Sequence, residues 1–337
     1  MRRARESDRD TVLSFATHTW DGWDYIPHAW PVWLAAKDGV VLVATNPDGR
    51  PIAITRIAMV SPTEAWLEGI RVDPDVRGME VATDLQVAEL QWAAAQGADV
   101  IRYATGANNE GSHKLGARHG IELLLAFRNY WWSPNPDDDA DDPSAFDPEV
   151  RAASTALRGE VLDGLASEGR IASMADARRL WALVDLAPDF VAALRLYEPR
   201  PWAIGELTAE RFARHVERRE VISFDDRAIA ILLREQLAGE DSSLRLAMLM
   251  GDVAPVIELV ERIRAIAGKT VRFRLSGGGP LQTDGHDQLL AAGYRSPDWT
   301  LHLLGRPIDR AHPIPEVDPA RVVLAEKPAP IIAPMTF

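Results

Sequence analysis

Two stretches of the chain have residue types and spacings that can do chemistry. The first is Arg77-Gly78-Met79-Glu80-Val81-Ala82-Thr83, which stands directly before a helical pattern through Leu85, Ala88, Leu90 and Trp92 that closes at Gly97. The free N–H groups and the dipole of such a helix start favour a phosphate. An arginine there adds a charge-assisted contact, with Arg71 and Lys114 as candidate neighbours. Gly78 permits close backbone approach. The second stretch is Trp66 to Val72, whose alternation reads as a strand with Glu68 on the same face as Ile70 and Val72. Tyr103, His113, His119 and Tyr130 supply further groups able to hold or give a proton. None of the eight histidines has a compact metal-ligand spacing with another histidine or a carboxylate, so no metal is expected.

The elements that must position these residues follow in order. Asp8 to Thr19 reads as a first helix, and an aromatic segment follows with Trp20, Trp23, Tyr25, Trp30 and Trp33. Trp30 and Trp33 share a helix face, so these rings suit either core packing or the wall of a pocket. Val40 to Ala44 and Ile52 to Ile57 form a hairpin through Asn46-Pro47-Asp48-Gly49 and lead to the central strand. Val100 to Thr105 is the next strand, Asn109 to Gly120 a short helix, and Leu123 to Trp132 a last strand with an aromatic end.

The prolines and aspartates from Pro134 to Pro143 read as a solvated linker, which sets a first domain at 1–134. An acidic linker and helical connection cover 135–200, with helices from about Pro148 to Tyr197, and Trp202 to Leu207 is a strand. A second domain at 201–306 repeats the first, since Arg227-Ala228-Ile229-Ala230-Ile231 echoes Arg50-Pro51-Ile52-Ala53-Ile54 and Thr270-Val271-Arg272-Phe273 echoes Val100-Ile101-Arg102-Tyr103. Leu244 to Met250 supplies its central strand and Val253 to Ala267 its helix. The intervening Gly251-Asp252-Val253-Ala254-Pro255 has no arginine and a negative charge, which disfavours a second phosphate site. The arm at 307–337 is rich in proline and reads as extended.

Composition narrows the class. A chain of 337 residues, nearly half of them hydrophobic, can bury two ordinary cores. A net charge of -13 argues against a nucleic-acid or anionic-membrane surface. The lack of cysteine excludes disulfides, thiolate metal sites and cysteine nucleophiles. No apolar run is long enough to cross a bilayer, and a cytoplasmic location is expected.

The order strand, Arg77-x-x-Glu80-x-Ala82, helix resembles the phosphate loop of the GNAT superfamily of acetyl-CoA-dependent N-acyltransferases. Asn109, Glu110, Gly111, Ser112, Leu115, Gly120 and Ile121 match that family's downstream pattern in spacing. Glu80 departs from it where a central glycine is usual, and Gly116 where many members carry a tyrosine acid. The resemblance implies an α/β (α+β) fold of two tandem GNAT domains, each a mixed twisted sheet flanked by helices, the second degenerate. It implies acetyl-CoA held along Ile70, Arg71 and Val72, by Arg77 to Thr83, and by Asn109 and Ser112. Glu68 then becomes the base for an ammonium acceptor, the alternatives being a structural ion pair with Arg56 or Arg71 or recognition of a cationic substrate without proton transfer; His119 and Tyr130 become candidates for the acid, and Trp23, Tyr25 and Trp30 the acceptor wall. Glu80 is expected to turn its carboxylate to solvent from an ordinary L-residue conformation. The segments Asp24-Tyr25-Ile26-Pro27, Trp33-Leu34 and Leu67 to Val72 also look like the subset that contains histidine N-acetyltransferases. The implied activity is acetyl transfer to a small primary amine; a non-catalytic acyl-CoA or metabolite binder is the alternative, and a homodimer is left open.

Overall fold

The computed structural model describes residues 1–17, 19, 24–133, 148–200, 202–234, 243–267, 273–277, 286–296, 298 and 300–315. Trp20, Trp23, the acidic linker core, Thr270 to Arg272 and most of the proline-rich arm lie outside these residues. The chain divides into two compact units, one of residues Met1–Leu124 with Leu303 onward and one of Leu125–His302.

In the first unit, the short β1 (Arg2–Arg3) leads into α1 (Arg9–Ala16) and α2 (Ile26–Ala35). The hairpin β2 (Gly39–Thr45) and β3 (Pro51–Ser61) turns through Asn46 to Gly49, where the Gly49 N–H donates to the Asn46 carbonyl at 3.0 Å. Then come β4 (Glu64–Val72), α3 (Val81–Ala95), β5 (Val100–Gly106) and α4 (Glu110–Arg118). Their sheet runs β1-β2-β3-β4-β5, antiparallel up to β4 and parallel between β4 and β5.

Alternation sorts the side chains between two layers. Val40, Leu42 and Ala44 of β2 pack with Leu85, Ala88 and Trp92 of α3, while Val41 and Val43 pack with Val12, Phe15, Trp30 and Trp33 of α1 and α2. Burying an apolar side chain contributes roughly 1.5 to 3 kcal/mol, so these two layers hold the sheet between the helices.

The next strand, β6 (Glu122–Trp132), starts in the first unit and gives its residues from Leu125 to the second. There follow α5 (Pro148–Ser167), α6 (Ala177–Leu186), α7 (Pro188–Ala192), β7 (Leu196–Arg200), β8 (Ala203–Glu206), α8 (Ala209–Glu217), β9 (Val221–Phe224), β10 (Ala228–Leu232), β11 (Leu244–Gly251), α9 (Val253–Ala267), β12 (Phe273–Gly277) and α10 (His286–Ala291). The helical stretch expected up to Tyr197 ends earlier, because Leu194 and Arg195 take positive φ and redirect the chain into β7. The sheet of this unit is ordered β6-β12-β11-β10-β9, with β7 and β8 as a separate pair.

The duplicated order is present: β11, α9 and β12 form a parallel βαβ unit as β4, α3 and β5 do. The last strand, β13 (Leu301–Pro307), returns from Leu303 onward to the first unit beside β5. Thus β6 and β13 each carry chain from one unit into the other, where the sequence suggested a break near residue 134.

One feature of β4 controls the first unit. Arg56 of β3 faces Glu68 and Ile54 faces Arg71, so β4 spends one residue more than β3 over this step and forms a bulge. Gly69 sits in it at φ +73, and a Cβ there would overlap the ring of Trp33, with Cζ3 at 2.8 Å. A Gly69→Ala substitution is expected to destabilise the protein by roughly 1 to 3 kcal/mol through strain and overpacking. Denaturant unfolding of the variant beside the wild type checks this.

Candidate functional site

Strands β4 and β5 pair only at Glu64 with Val100, Ala65 with Ile101 and Trp66 with Arg102. An Arg102–Glu64 ion pair holds the closed end. Beyond Trp66 the strands separate at the bulge, and the β5-facing backbone of Leu67 to Val72 has no ladder partner on that side among the described residues. Strand N–H and C=O groups in such a wedge are available to a ligand that is itself amide-like. Ile70 and Val72 are partly buried against the α3-side core, so β4 presents its backbone to the wedge with its side chains anchored.

The chain leaves β4 at Asp73, whose carboxylate accepts from the Asp75 N–H at 3.1 Å, and enters the loop ahead of α3. Arg77, Gly78, Met79 and Glu80 are all exposed. Gly78 lies at φ +83 and Glu80 at φ 61, so the loop turns on two left-handed residues. The ordinary conformation expected for Glu80 is therefore not found. Residue 80 is the N-cap of α3, and the chain must reverse there to enter the helix, which is why glycine suits the position. The Glu80 side chain makes no capping bond and lies 3.8 Å from Arg118 at the surface. The N–H groups of Val81, Ala82 and Thr83 form the first turn of α3, where an intrahelical acceptor is lacking.

Arg118 was not singled out in the sequence, yet its guanidinium donates to Thr83 Oγ1 at 3.1 Å and stands over this turn. The signal was present as a basic residue in the last turn of α4. Lys114, by contrast, pairs with Glu110 at 2.8 Å on the exposed face of α4. Asn109 is the N-cap of α4: its Oδ1 accepts from the Ser112 N–H at 3.2 Å and its Nδ2 donates to Thr105 Oγ1 at 2.9 Å.

On the opposite face of the sheet, charged and aromatic groups converge around the bulge. Glu68 is ion-paired with the buried Arg56, which also meets Asp38 at 2.9 Å, so the extra residue of the bulge puts Glu68 on the face opposite Ile70 and Val72, where simple alternation placed all three together. The Arg71 guanidinium is held by Asp24 at 2.7 and 3.2 Å and stacks 5.4 Å from the Tyr25 ring. Its side chain thus lies with Tyr25, away from the loop before α3. Trp33 meets Tyr25 edge-on at 5.9 Å and Arg56 at 5.6 Å, and burial pushes the Tyr25 hydroxyl up to about 12. Trp30 is fully buried in the α1–α2 core, the packing alternative for that ring. Trp23 lies outside the described residues.

The two candidate acids are placed differently. His119 is buried, with Nδ1 2.6 Å from Gln86 Oε1 of α3. Burial, with Arg306 and Arg118 adding to it, pulls its imidazole below the usual histidine range. That shift favours the neutral ring, whose Nδ1–H donates to Gln86 Oε1. Tyr130 lies in the core of the second unit, its hydroxyl 3.0 Å from His286 Nδ1.

Tyr103 of β5 donates to the Ser112 carbonyl at 2.9 Å, and burial raises its hydroxyl to about 12. A Cβ at Gly116 would overlap that hydroxyl. The space next to α4 that a side chain at position 116 would enter is therefore filled by a tyrosine from the neighbouring strand.

Among the described residues no group of histidine and acidic side chains could hold a metal ion, and no helix is long and apolar enough to cross a membrane. In the second unit the turn between β11 and α9 is Gly251-Asp252, with Asp252 paired to Arg227 at 3.0 Å and the Gly251 N–H donating to Asp189 at 3.0 Å.

Residues 9–121 match the model of the acetyltransferase (GNAT) family. Over 84 residues the chain is 36% identical to a histidine N-acetyltransferase of Xenopus tropicalis, covering 25% of this chain and 26% of that protein. A histidine N-acetyltransferase of Scomber australasicus is 32% identical over 80 residues, 23% of each chain. The matched segment thus spans about a quarter of the length of these curated relatives. A crystal structure described as an acetyltransferase of Thermoplasma acidophilum shares the fold over 91% of this chain and 98% of its own, with a TM-score of 0.52 and 14% identity. The fold is α/β, and residues 9–121 form a domain of the GNAT acetyltransferase family.

The left-handed Glu80 sets one expectation. Glu80→Gly should stabilise the protein by about 1 kcal/mol, since the side chain makes no capping bond and its surface pairing contributes little. A raised midpoint of thermal or denaturant unfolding checks it, and a lowered one would show that the Arg118 contact dominates.

Proposed function

We propose that the first unit transfers an acetyl group from acetyl-CoA to the primary amine of a small amino compound, by direct attack with both bound. The observation that carries this reading is the wedge between β4 and β5, which opens beside an uncapped, exposed helix start. The residues fit the cosubstrate. The backbone of Leu67 to Val72 suits an amide-bearing arm, and the first turn of α3 with Arg77 and Arg118 suits its phosphates. Acetyl-CoA supplies the acyl thioester.

The chain's own groups do the rest. Tyr25, Trp33 and the Arg71–Asp24 pair wall the acceptor side, and a cationic amine is favoured over an aromatic face. Glu68, oriented by Arg56, takes one proton from the ammonium, and the neutral amine then attacks the thioester carbonyl. As the C–S bond breaks, the nitrogen gives up its second proton, which reaches the departing thiolate through water or through Tyr103. The names of the curated relatives support an amino acid, histidine first, as the acceptor to assay.

Arg77→Ala should raise the Kd for acetyl-CoA by about tenfold or more, the loss of one charge-assisted contact. Calorimetry reads this directly, and unchanged affinity would remove Arg77 from the site. Glu68→Gln should lower kcat by roughly a hundredfold, most at low pH, while acetyl-CoA affinity stays within about twofold. A wild-type pH profile in that variant would exclude Glu68 as the base. Thiol release across a panel of amines, measured on the wild type, separates transfer from acetyl-CoA binding without turnover.

A further inference from the structure

Beneath the β4 bulge, on the face away from Glu68's carboxylate, lies a polar pair that the proposed reaction does not use. Glu89 of α3 is 2% exposed and Thr55 of β3 is 0% exposed, and the two are hydrogen-bonded. Thr55 Oγ1 also stands 3.4 Å from the backbone carbonyl of Glu68, the first residue of the bulge. A threonine hydroxyl has one hydrogen to give and can accept from others, so it cannot donate to both neighbours at once.

We propose that Glu89 is a positioning residue which, through Thr55, sets the Glu68-Gly69-Ile70 bulge, its proton deciding which way the Thr55 hydroxyl points. With Glu89 neutral, its O–H donates to Thr55 Oγ1, and the Thr55 hydrogen goes to the Glu68 carbonyl and pins the bulge. With Glu89 ionised, the Thr55 hydrogen turns to the carboxylate and the Glu68 carbonyl is released.

Burial raises the Glu89 carboxyl to about 8, with Thr55 opposing that shift, so the exchange falls near neutral pH. The side chains facing this side of α3 from β2, β3 and β4 include Leu42, Ala53, Ile57 and Leu67, all apolar. Tyr103 of β5 is the other titratable group coupled to Glu89. On α3 itself, Gln86 is engaged with His119, whose imidazole burial pulls below the usual histidine range. The sign for stability follows. A raised carboxyl keeps its proton in the folded state after the unfolded chain has lost it, so stability falls as pH rises from the ordinary carboxylate range towards about 8.

The test is a pH series on the full chain labelled with ¹⁵N, following the Gly69 and Ile70 amide signals without any ligand. These signals should titrate with one midpoint near pH 8 in the wild type. They should stay flat in Glu89→Gln, whose amide mimics the neutral acid, and in Thr55→Val. Tyr103→Phe should keep the wild-type midpoint to within a few tenths of a unit. A wild-type titration that persists in Glu89→Gln would overturn the proposal.

A second arm rests on the reading of the first unit as an acetyl-CoA site. Affinity by calorimetry should weaken about two- to tenfold above pH 8 in the wild type, but not in Glu89→Gln. Acetyl-CoA that binds nowhere would sink that reading and leave the amide titration to decide this one. Should Glu89→Gln fail to fold, Thr55→Ser and Thr55→Val decide: the serine variant must keep the titration and the valine variant must lose it.

Discussion

The first unit depends on one extra residue in β4. An antiparallel ladder with β3 and a parallel one with β5 cannot both continue along a strand that gains a residue on one side only. The chain resolves this by keeping β3 paired through the bulge and ending the β5 pairing at Trp66. Gly69 makes the geometry available in two ways: it takes φ +73 without a Cβ penalty, and it leaves room for the Trp33 ring. A wedge is the result, in which Leu67 to Val72 has no ladder partner on the β5 side among the described residues.

The same strand separates two kinds of environment. On the α1–α2 face stand Glu68, Arg56, Asp38, Arg71, Asp24, Tyr25 and Trp33, where charge is compensated pairwise and aromatic rings set the walls. The α3 face is mainly apolar, with Thr55, Glu89, Tyr103 and the Gln86–His119 pair as its polar groups, so a carboxyl there is forced towards its neutral form. A group at the bulge therefore feels ionised partners on one side and a nearly dry layer on the other. One strand thus separates ionised pairs on one face from a neutral carboxyl on the other.

The second unit shows that the fold by itself does not make such a site. It has the parallel β11–α9–β12 arrangement and two apolar layers of its own. At the start of α9, however, the chain passes from strand to helix through the single residue Asp252, which pairs with Arg227, and Asp189 accepts from the Gly251 N–H. The connection itself carries no arginine, and the one that reaches it, Arg227, is held by Asp252. The strands β6 and β13 nevertheless carry the chain from one unit to the other, so neither is a contiguous stretch of sequence.

Local order was legible in the sequence. Alternation marked β2 to β5 to within a few residues, glycine and proline marked the turns, and Arg77-Gly78 before a periodic segment marked the start of α3. These signals are carried by neighbours in the chain, where a period of 2 or 3.6 residues is enough to read them. The parallel repeat in the second half was legible for the same reason. Partnerships were not. Arg71 belongs to Asp24, Glu68 to Arg56, the space beside Gly116 to Tyr103, and Tyr130 to the core of the second unit. Each of these depends on the register between strands or the seat of a helix on the sheet, which local periodicity does not contain. The left-handed Glu80 is the sharpest case: residue type argued for an ordinary conformation, and the need to turn the chain into α3 overrode it. Sequence alone determined which elements exist and which loop could face a phosphate; the tertiary structure decided which charges meet, because that follows from distances between residues far apart in the chain.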